Sequence, residues 1–134
     1  MKKRKIAFIC VHNSCRSIMA EGWAKHLGSN LIEAYSAGTE KYQSPKPLAI
    51  EVMEDAGVNM QHAASKLIKD IPSEFDIVIT MGCGVKCPYI KCEHREDWDL
   101  EDPSGKPKFE FEKTRDIIKL KVIDLIERIE KGKL

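Results

Sequence analysis

Lys5-Ile6-Ala7-Phe8-Ile9-Cys10-Val11-His12-Asn13-Ser14-Cys15-Arg16-Ser17 is the stretch that decides the fold. From Lys5 to Cys10 the apolar side chains run on without a polar break, which predicts a strand buried on both faces. A polar loop carries the chain to Arg16. From Ser17 to Leu27, Ile18, Met19, Trp23 and Leu27 recur at roughly helical spacing, and Gly28 supplies a C-terminal stop. Strand, loop and helix in this order open a βα unit.

The same alternation continues outward. Leu31 to Ser36 reads as a second strand, ended by Ala37-Gly38. Ser44-Pro45-Lys46-Pro47 reads as a helix entry, since proline suits the first turn, with the helix reaching Asp55 or Ala56 before Gly57. Asp76 to Met81 is a third apolar strand. A cysteine-rich loop is expected from Gly82 to Arg95, and a short fourth strand from Asp97 to Leu100. Phe111, Ile117, Ile118, Leu120, Ile123, Leu125 and Ile126 suggest one long amphipathic helix from Phe109 to Ile129. Apolar strands alternating with helices predict an α/β fold: a three-layer α/β/α arrangement around a central four-stranded parallel sheet, as one domain over residues 1–134. Ligands on such sheets bind beyond the carboxyl ends of the strands, where Cys10, Gly38, Gly82 and Asp102 would converge.

Composition narrows the function. The formal net charge is +1, so no strong pull toward nucleic acid or a membrane surface is expected. No apolar segment has the length of a membrane span. The basic start, Met1 to Lys5, is followed only by the short run Ile6 to Cys10, which predicts no export signal. Five cysteines, an odd number, argue against a secreted disulfide scaffold. Grouped cysteines in a reducing cytoplasm point instead to metal binding, catalysis or redox work. A cytoplasmic monomer is the expectation.

The loop after the first strand holds the sharpest chemistry. Wrapped between a strand and a helix, Val11, His12, Asn13, Ser14, Cys15 and Arg16 would aim backbone N–H groups at a tetrahedral oxyanion, and the helix N-terminus adds partial positive charge. Arg16 would grip two oxygens with its guanidinium fork. Cys10 lies at the bottom of that cradle, where amides, dipole and Arg16 favour an ionised sulfur, and the Ser17 hydroxyl can donate to it. Asn13 suits a left-handed backbone position. Cys15 reads as a packed neighbour, with pairing to Cys10 under oxidation as the alternative. A buried, inert Cys10 beside a surface arginine is the bland reading; the Cys-x5-Arg-Ser spacing on a strand–loop–helix weighs against it. Asp102-Pro103-Ser104-Gly105 is a turn after the last predicted strand. Its aspartate could protonate a departing oxygen, although turn aspartates are common. Asp97, Asp99 and Glu101 read as solvated or structural.

Cys-x5-Arg-Ser followed by Met19-Ala20-Glu21-Gly22-Trp23 resembles the low-molecular-weight protein tyrosine phosphatase fold family. Asn13-Ser14-Cys15-Arg16-Ser17 with Ala20-Glu21-Gly22-Trp23 is similar to its thioredoxin-coupled arsenate reductase branch in particular, and Ser36-Ala37-Gly38 and Asp102-Pro103 match as well. The resemblance implies that Asp102 is the general acid and that Cys10 attacks arsenate. It further implies that Cys83 then attacks the Cys10 sulfur to release arsenite, and that a later cysteine attacks Cys83. Cys87 is the expected last thiol and Cys92 the runner-up, since this chain spaces its cysteines more closely than the branch does and carries one extra. Thioredoxin or a small thiol would reduce the final disulfide.

The branch also carries a potassium site. Asn13, Glu21 and Ser36 match three of its ligand positions, and Lys66 stands where an aspartate is found. A lysine there could replace the cation and pair with Glu21, or be merely solvated. No other metal or tightly bound cofactor is implied. Two competing readings stay open. One is a phosphatase of the same fold, hydrolysing phosphomonoesters through a Cys10 phosphoenzyme; it would have no use for the extra cysteines and is usually aromatic where Ser104-Gly105 stands. The other is a zinc module built on Cys83, Cys87, Cys92 and His94, whose spacings are not those of a regular zinc ribbon.

Overall fold

The computed structural model describes residues 2–11, 13, 15–40, 44–61, 63–82 and 89–134. Four parallel strands form one sheet: β1 (Arg4–Cys10), β2 (Ile32–Gly38), β3 (Glu74–Thr80) and β4 (Lys91–Asp97), in the order β2-β1-β3-β4. Among the described residues the helices are α1 (Arg16–Gly28), α2 (Pro47–Asp55) and α3 (Lys108–Glu130), with a 3₁₀ turn at Ile68–Asp70. From β1 the chain first moves outward to β2, then returns across β1 to β3. Strand order therefore reverses at β1, and the crevice beyond the carboxyl ends of β1 and β3 is the place such sheets offer a ligand.

Layering follows from the residue pattern. Ile6 and Phe8 point to one face of the sheet, where α1, α2 and α3 close the larger core with Met19, Trp23, Met53, Ile118 and Leu125. Ala7 and Ile9 point to the other, packing with Ala37, Val78 and Ile90 beneath Ile68 and Ile71 of the 3₁₀ segment. Both faces of β1 are covered, so its sequence reads as a continuous apolar run instead of an alternating one. On α3 the buried stripe is Phe111, Thr114, Ile118, Val122, Leu125 and Ile129, recurring every three or four residues. Ile117 and Leu120, expected in that stripe, face outward, Leu120 being 67% exposed.

The fourth strand departs from expectation. It lies at Lys91–Asp97, mostly within the segment read as loop, and meets the expected Asp97 to Leu100 only at Asp97. Its sequence, KCEHRED, is almost wholly polar. Such a strand is tolerated because β4 is an edge with one free side, where charge deters pairing with another chain. Its alternate residues are the more exposed ones. Glu96 faces inward, where Arg128 of α3 donates Nη1 to Oε1 at 2.8 Å and Nη2 to Oε2 at 2.9 Å. Trp98 Nε1 donates to the same carboxylate at 2.8 Å. The Arg128 hydrogen bonds, with those from His94 and Trp98, outweigh partial burial and hold the Glu96 carboxyl at about 2, well below its ordinary 4.5. A charged strand thus docks through one paired carboxylate, a contact that apolar periodicity does not report.

Candidate active site

Cys10 is the last residue of β1, level with Gly38 of β2, and its side chain is buried. Its Sγ lies 2.8 Å from Ser17 Oγ and accepts a hydrogen bond from the Asn13 backbone N–H at 3.2 Å. Asn13 adopts φ 51, the left-handed conformation that turns this N–H back toward the sulfur. The Asn13 side chain is fully buried and bonded at both ends: Nδ2 donates to Ser17 Oγ at 2.8 Å, and Oδ1 accepts from the Lys66 N–H at 2.8 Å. Ser65 Oγ donates to the Asn13 carbonyl at 2.8 Å. Two neighbours from the 65–66 segment therefore lock the left-handed Asn13.

The outer wall comes from β2. Beyond Gly38 the chain runs beside the loop, with the Thr39 N–H donating to the Cys10 carbonyl and the Glu40 N–H to the Val11 carbonyl at 2.8 Å. His12 and Ser14, expected to offer amides to an oxyanion, lie outside the described residues. Cys15 is buried, and burial, followed by the nearby Asp102 and Cys10 charges, pushes its thiol far above the ordinary range. It packs as a protonated filler while its carbonyl caps α1 by accepting from the Met19 N–H.

Arg16 begins α1 and is 9% exposed. Its Nη1 donates to the carbonyls of Met81, just beyond β3, and Leu100, at 2.8 Å for the latter. Nη2 stands 3.8 Å from Asp102 Oδ2. Gly82, at φ 94, makes room for this arrangement: a Cβ there would come within 3.3 Å of the Leu100 carbonyl and 3.5 Å of Arg16 Nη1. Asp102 is about half exposed, with Oδ1 accepting from the Ser104 N–H at 3.0 Å. Burial pulls its carboxyl upward, but the Ser104 hydrogen bonds and the Arg16 and Lys46 charges outweigh it and hold the group below its usual range. These groups favour the ionised carboxylate at Asp102. An oxyanion arriving beside it would push proton affinity back up.

Glu21, buried on α1, accepts from Ser36 Oγ and pairs with Lys25 Nζ at 2.8 Å. Lys66 Nζ lies 3.7 Å from Glu21 Oε1 and donates to the Ala64 carbonyl at 2.9 Å. Asn13, Glu21, Ser36 and Lys66 are thus brought together behind the loop. Among the described residues, no group of three His, Cys, Asp or Glu side chains is placed to hold a metal ion.

Cys83 and Cys87 lie outside the described residues; the described chain stops one residue short, at Gly82 against Arg16. Cys92 sits near the start of β4, level with Phe75, whereas Ile9 is level with Thr80. Five residues of strand separate those levels, about 17 Å, and two strand spacings add about 10 Å across the sheet. Cys92 is therefore remote from Cys10. His94, its partner in the zinc reading, instead lies 2.7 Å from Glu96.

Several supporting contacts escaped the sequence, which read Asp97 only as solvated or structural. Asp97 Oδ1 accepts from Thr80 Oγ1 and from the Gly82 N–H at 2.8 Å, fixing the exit of β3. Ser65 carries no motif. Only the sheet register, which brings distant strand ends together, could have revealed them.

Residues 5–134 match the family described as low molecular weight phosphotyrosine protein phosphatase. Arsenate reductase 2 of Staphylococcus haemolyticus is 41% identical over 126 residues, covering 89% of this chain and 93% of that protein. A solved arsenate reductase in its phosphate-binding state superposes with a TM-score of 0.86 at 40% identity, over 94% of this chain and 98% of the other. A thioredoxin-dependent arsenate reductase of Corynebacterium glutamicum superposes at 0.79 with 31% identity, over 97% of this chain and 63% of that one. The chain therefore belongs to the low molecular weight phosphotyrosine protein phosphatase family, on the branch of its arsenate reductase relatives.

Proposed function

We propose that this protein reduces arsenate to arsenite through thiol chemistry begun at Cys10. The observation that carries the reading is the cradle itself. A sulfur at the switch point of the sheet lies 2.8 Å from Ser17 Oγ and accepts from the Asn13 amide, beside a clamped Arg16 at a helix N-terminus. Those groups stabilise a thiolate and bind a tetrahedral oxyanion in line with it.

The Cys10 thiolate attacks arsenic, and a hydroxyl of arsenate takes a proton from Asp102 and leaves as water. Binding of the oxyanion beside Asp102 favours the protonated acid that this step needs. The Cys83 thiolate then attacks Cys10 Sγ. The electron pair of the sulfur–arsenic bond passes to arsenic, which leaves as arsenite, and a Cys10–Cys83 disulfide remains. Cys87 attacks Cys83 and frees Cys10, with Cys92 as the other candidate for this role. The position of Cys92 far down β4 favours Cys87. A dithiol protein of the thioredoxin type, or a small thiol, reduces the last disulfide. That donor, weak hydrolysis of phosphomonoesters by the same cradle, and cytoplasmic action as a monomer belong to this proposal. The bound cation of related sites is replaced here by the Lys66 ammonium beside Glu21, so turnover should be indifferent to potassium; a clear stimulation would count against this.

Cys83→Ser tests the reading. Arsenite formation should vanish while slow hydrolysis of an aryl phosphate persists. Arsenite production at the parent rate would remove Cys83 from the relay. Thiol counting after one arsenate turnover identifies the final disulfide pair.

A further inference from the structure

The last registered pair of β3 and β4 is Thr80 with Asp97, and the Trp98 N–H donates to the Thr80 carbonyl at 2.8 Å. Beyond that pair the two chains meet at Arg16, whose Nη1 takes the Met81 carbonyl from one and the Leu100 carbonyl from the other. The Asp97 carboxyl group holds the same two chains. Its Oδ1 accepts from Thr80 Oγ1 and from the Gly82 N–H, the latter at 2.8 Å, and its Oδ2 accepts from the Asp99 N–H at 3.0 Å. Asp99 makes this contact from the left-handed region, at φ 47.

The Met81 carbonyl and the Gly82 N–H belong to one planar trans peptide and point in opposite directions across it. An acceptor at the N–H end therefore aims the carbonyl end at Arg16. Linked hydrogen bonds also polarise one another, so a carboxylate on the N–H raises the negative charge of the oxygen that faces the guanidinium. Asp97, the Met81–Gly82 peptide and Arg16 Nη1 thus form one continuous line. On the other chain, the Asp99 contact fixes the backbone just before Leu100 and three residues before Asp102, which lies 3.8 Å from Arg16 Nη2. Asp97 is exposed and belongs to neither apolar cluster, so its bonds do not serve core packing. We infer that Asp97 is a positioning residue of the oxyanion pocket, acting through the Met81–Gly82 peptide to set the Arg16 guanidinium. This rests on the oxyanion-binding reading of Arg16, and extends it to the end of the edge strand.

The test reads the concentration of inorganic phosphate that halves the alkylation rate of Cys10 by iodoacetamide. It uses the full chain, well below its melting midpoint, with site-resolved mass spectrometry. Asp97→Ala should raise that concentration roughly tenfold. Asp97→Asn keeps an oxygen for the Gly82 N–H but not the charge, and should recover to within roughly threefold of the parent. In an Arg16→Lys background, where the guanidinium fork is gone, Asp97→Ala should cost less than about twofold. Parent-like phosphate affinity in Asp97→Ala overturns the assignment. An equal loss in both backgrounds also overturns it, since that marks a general loosening and not an action through Arg16. Should Asp97→Ala fail to fold, Asp97→Ser, whose oxygen sits one bond nearer the backbone, takes its place with the same expectations. Phosphate that protects the parent but shows no dependence on Asp97 sinks this inference alone. If phosphate does not protect Cys10 even in the parent, the oxyanion reading falls and the role of Asp97 falls with it.

Discussion

Replacing Asn13 by alanine should destabilise the protein by about 3 kcal/mol, and the sum can be worked from the loop. Losing Oδ1 leaves the Lys66 N–H without its acceptor, worth about 1–2 kcal/mol for a partly buried donor. Losing Nδ2 removes the hydrogen bond to Ser17 Oγ, about 1 kcal/mol more. Alanine also resists the left-handed backbone that asparagine accepts at φ 51, which costs about 1 kcal/mol. For a chain of 134 residues the unfolding entropy is about 0.28 kcal/mol/K, so the midpoint should fall by about 10 °C. Asn13→Gly separates the contributions, since glycine loses both hydrogen bonds and keeps the conformation. It should fall about 3 °C less than alanine. Thermal melts followed by circular dichroism, with iodoacetamide alkylation of Cys10 on the same samples, make the measurement. An alanine variant melting within 2 °C of the parent would refute the view that Asn13 holds the loop. Equal melting of the two variants would refute the left-handed contribution.

Gly82→Ala should lower the melting temperature by several degrees and weaken phosphate binding at least tenfold, because its Cβ crowds the Leu100 carbonyl that anchors Arg16; calorimetry and melting together check this. Ser17→Ala should slow Cys10 alkylation at neutral pH by roughly tenfold through loss of the hydroxyl beside the sulfur, with stopped-flow or mass-spectrometric rates as the readout. For Glu96 the folded carboxyl at about 2 lies below its ordinary 4.5, so its contribution is complete above about pH 4.5 and disappears as pH falls toward 2. Glu96→Gln should cost roughly 1–2 kcal/mol at pH 7, allowing for solvent screening, and should flatten the acid limb of a urea-denaturation series between those pH values.

The parts of the fold legible in sequence were those where burial dictates residue type. β1 and β3 are covered on both faces, so continuous apolar runs marked them. The meeting of Cys10, Asn13 and Ser17 was legible because it is local: strand end, loop residue and first helical turn all lie within eight consecutive residues. β4 was misplaced because an edge strand docked by a Glu96–Arg128 pair has no apolar signature. On α3, Ile117 and Leu120 matched a generous helical pattern, yet the sheet offers only one contact stripe, and the two lie outside it. Ser65 stayed hidden because it acts on the Asn13 carbonyl, 52 positions back, and Asp97 reaches Thr80 and the Gly82 N–H, 17 and 15 positions back, across the β3–β4 pairing. Pairing distances of that kind are fixed by register, not by neighbours in the chain.

Arg16 has a consequence for molecular recognition as a whole. Because one of its nitrogens is riveted to two main-chain carbonyls, the guanidinium plane is set when the chain folds and does not wait for a guest. An incoming anion meets a receptor whose orientational entropy is already spent, so little of the encounter energy goes into ordering the host. The same rivet joins the far ends of β3 and the Leu100 segment. Amide exchange along that carboxyl rim should therefore change little when phosphate binds, because the rim is already tied before the anion arrives.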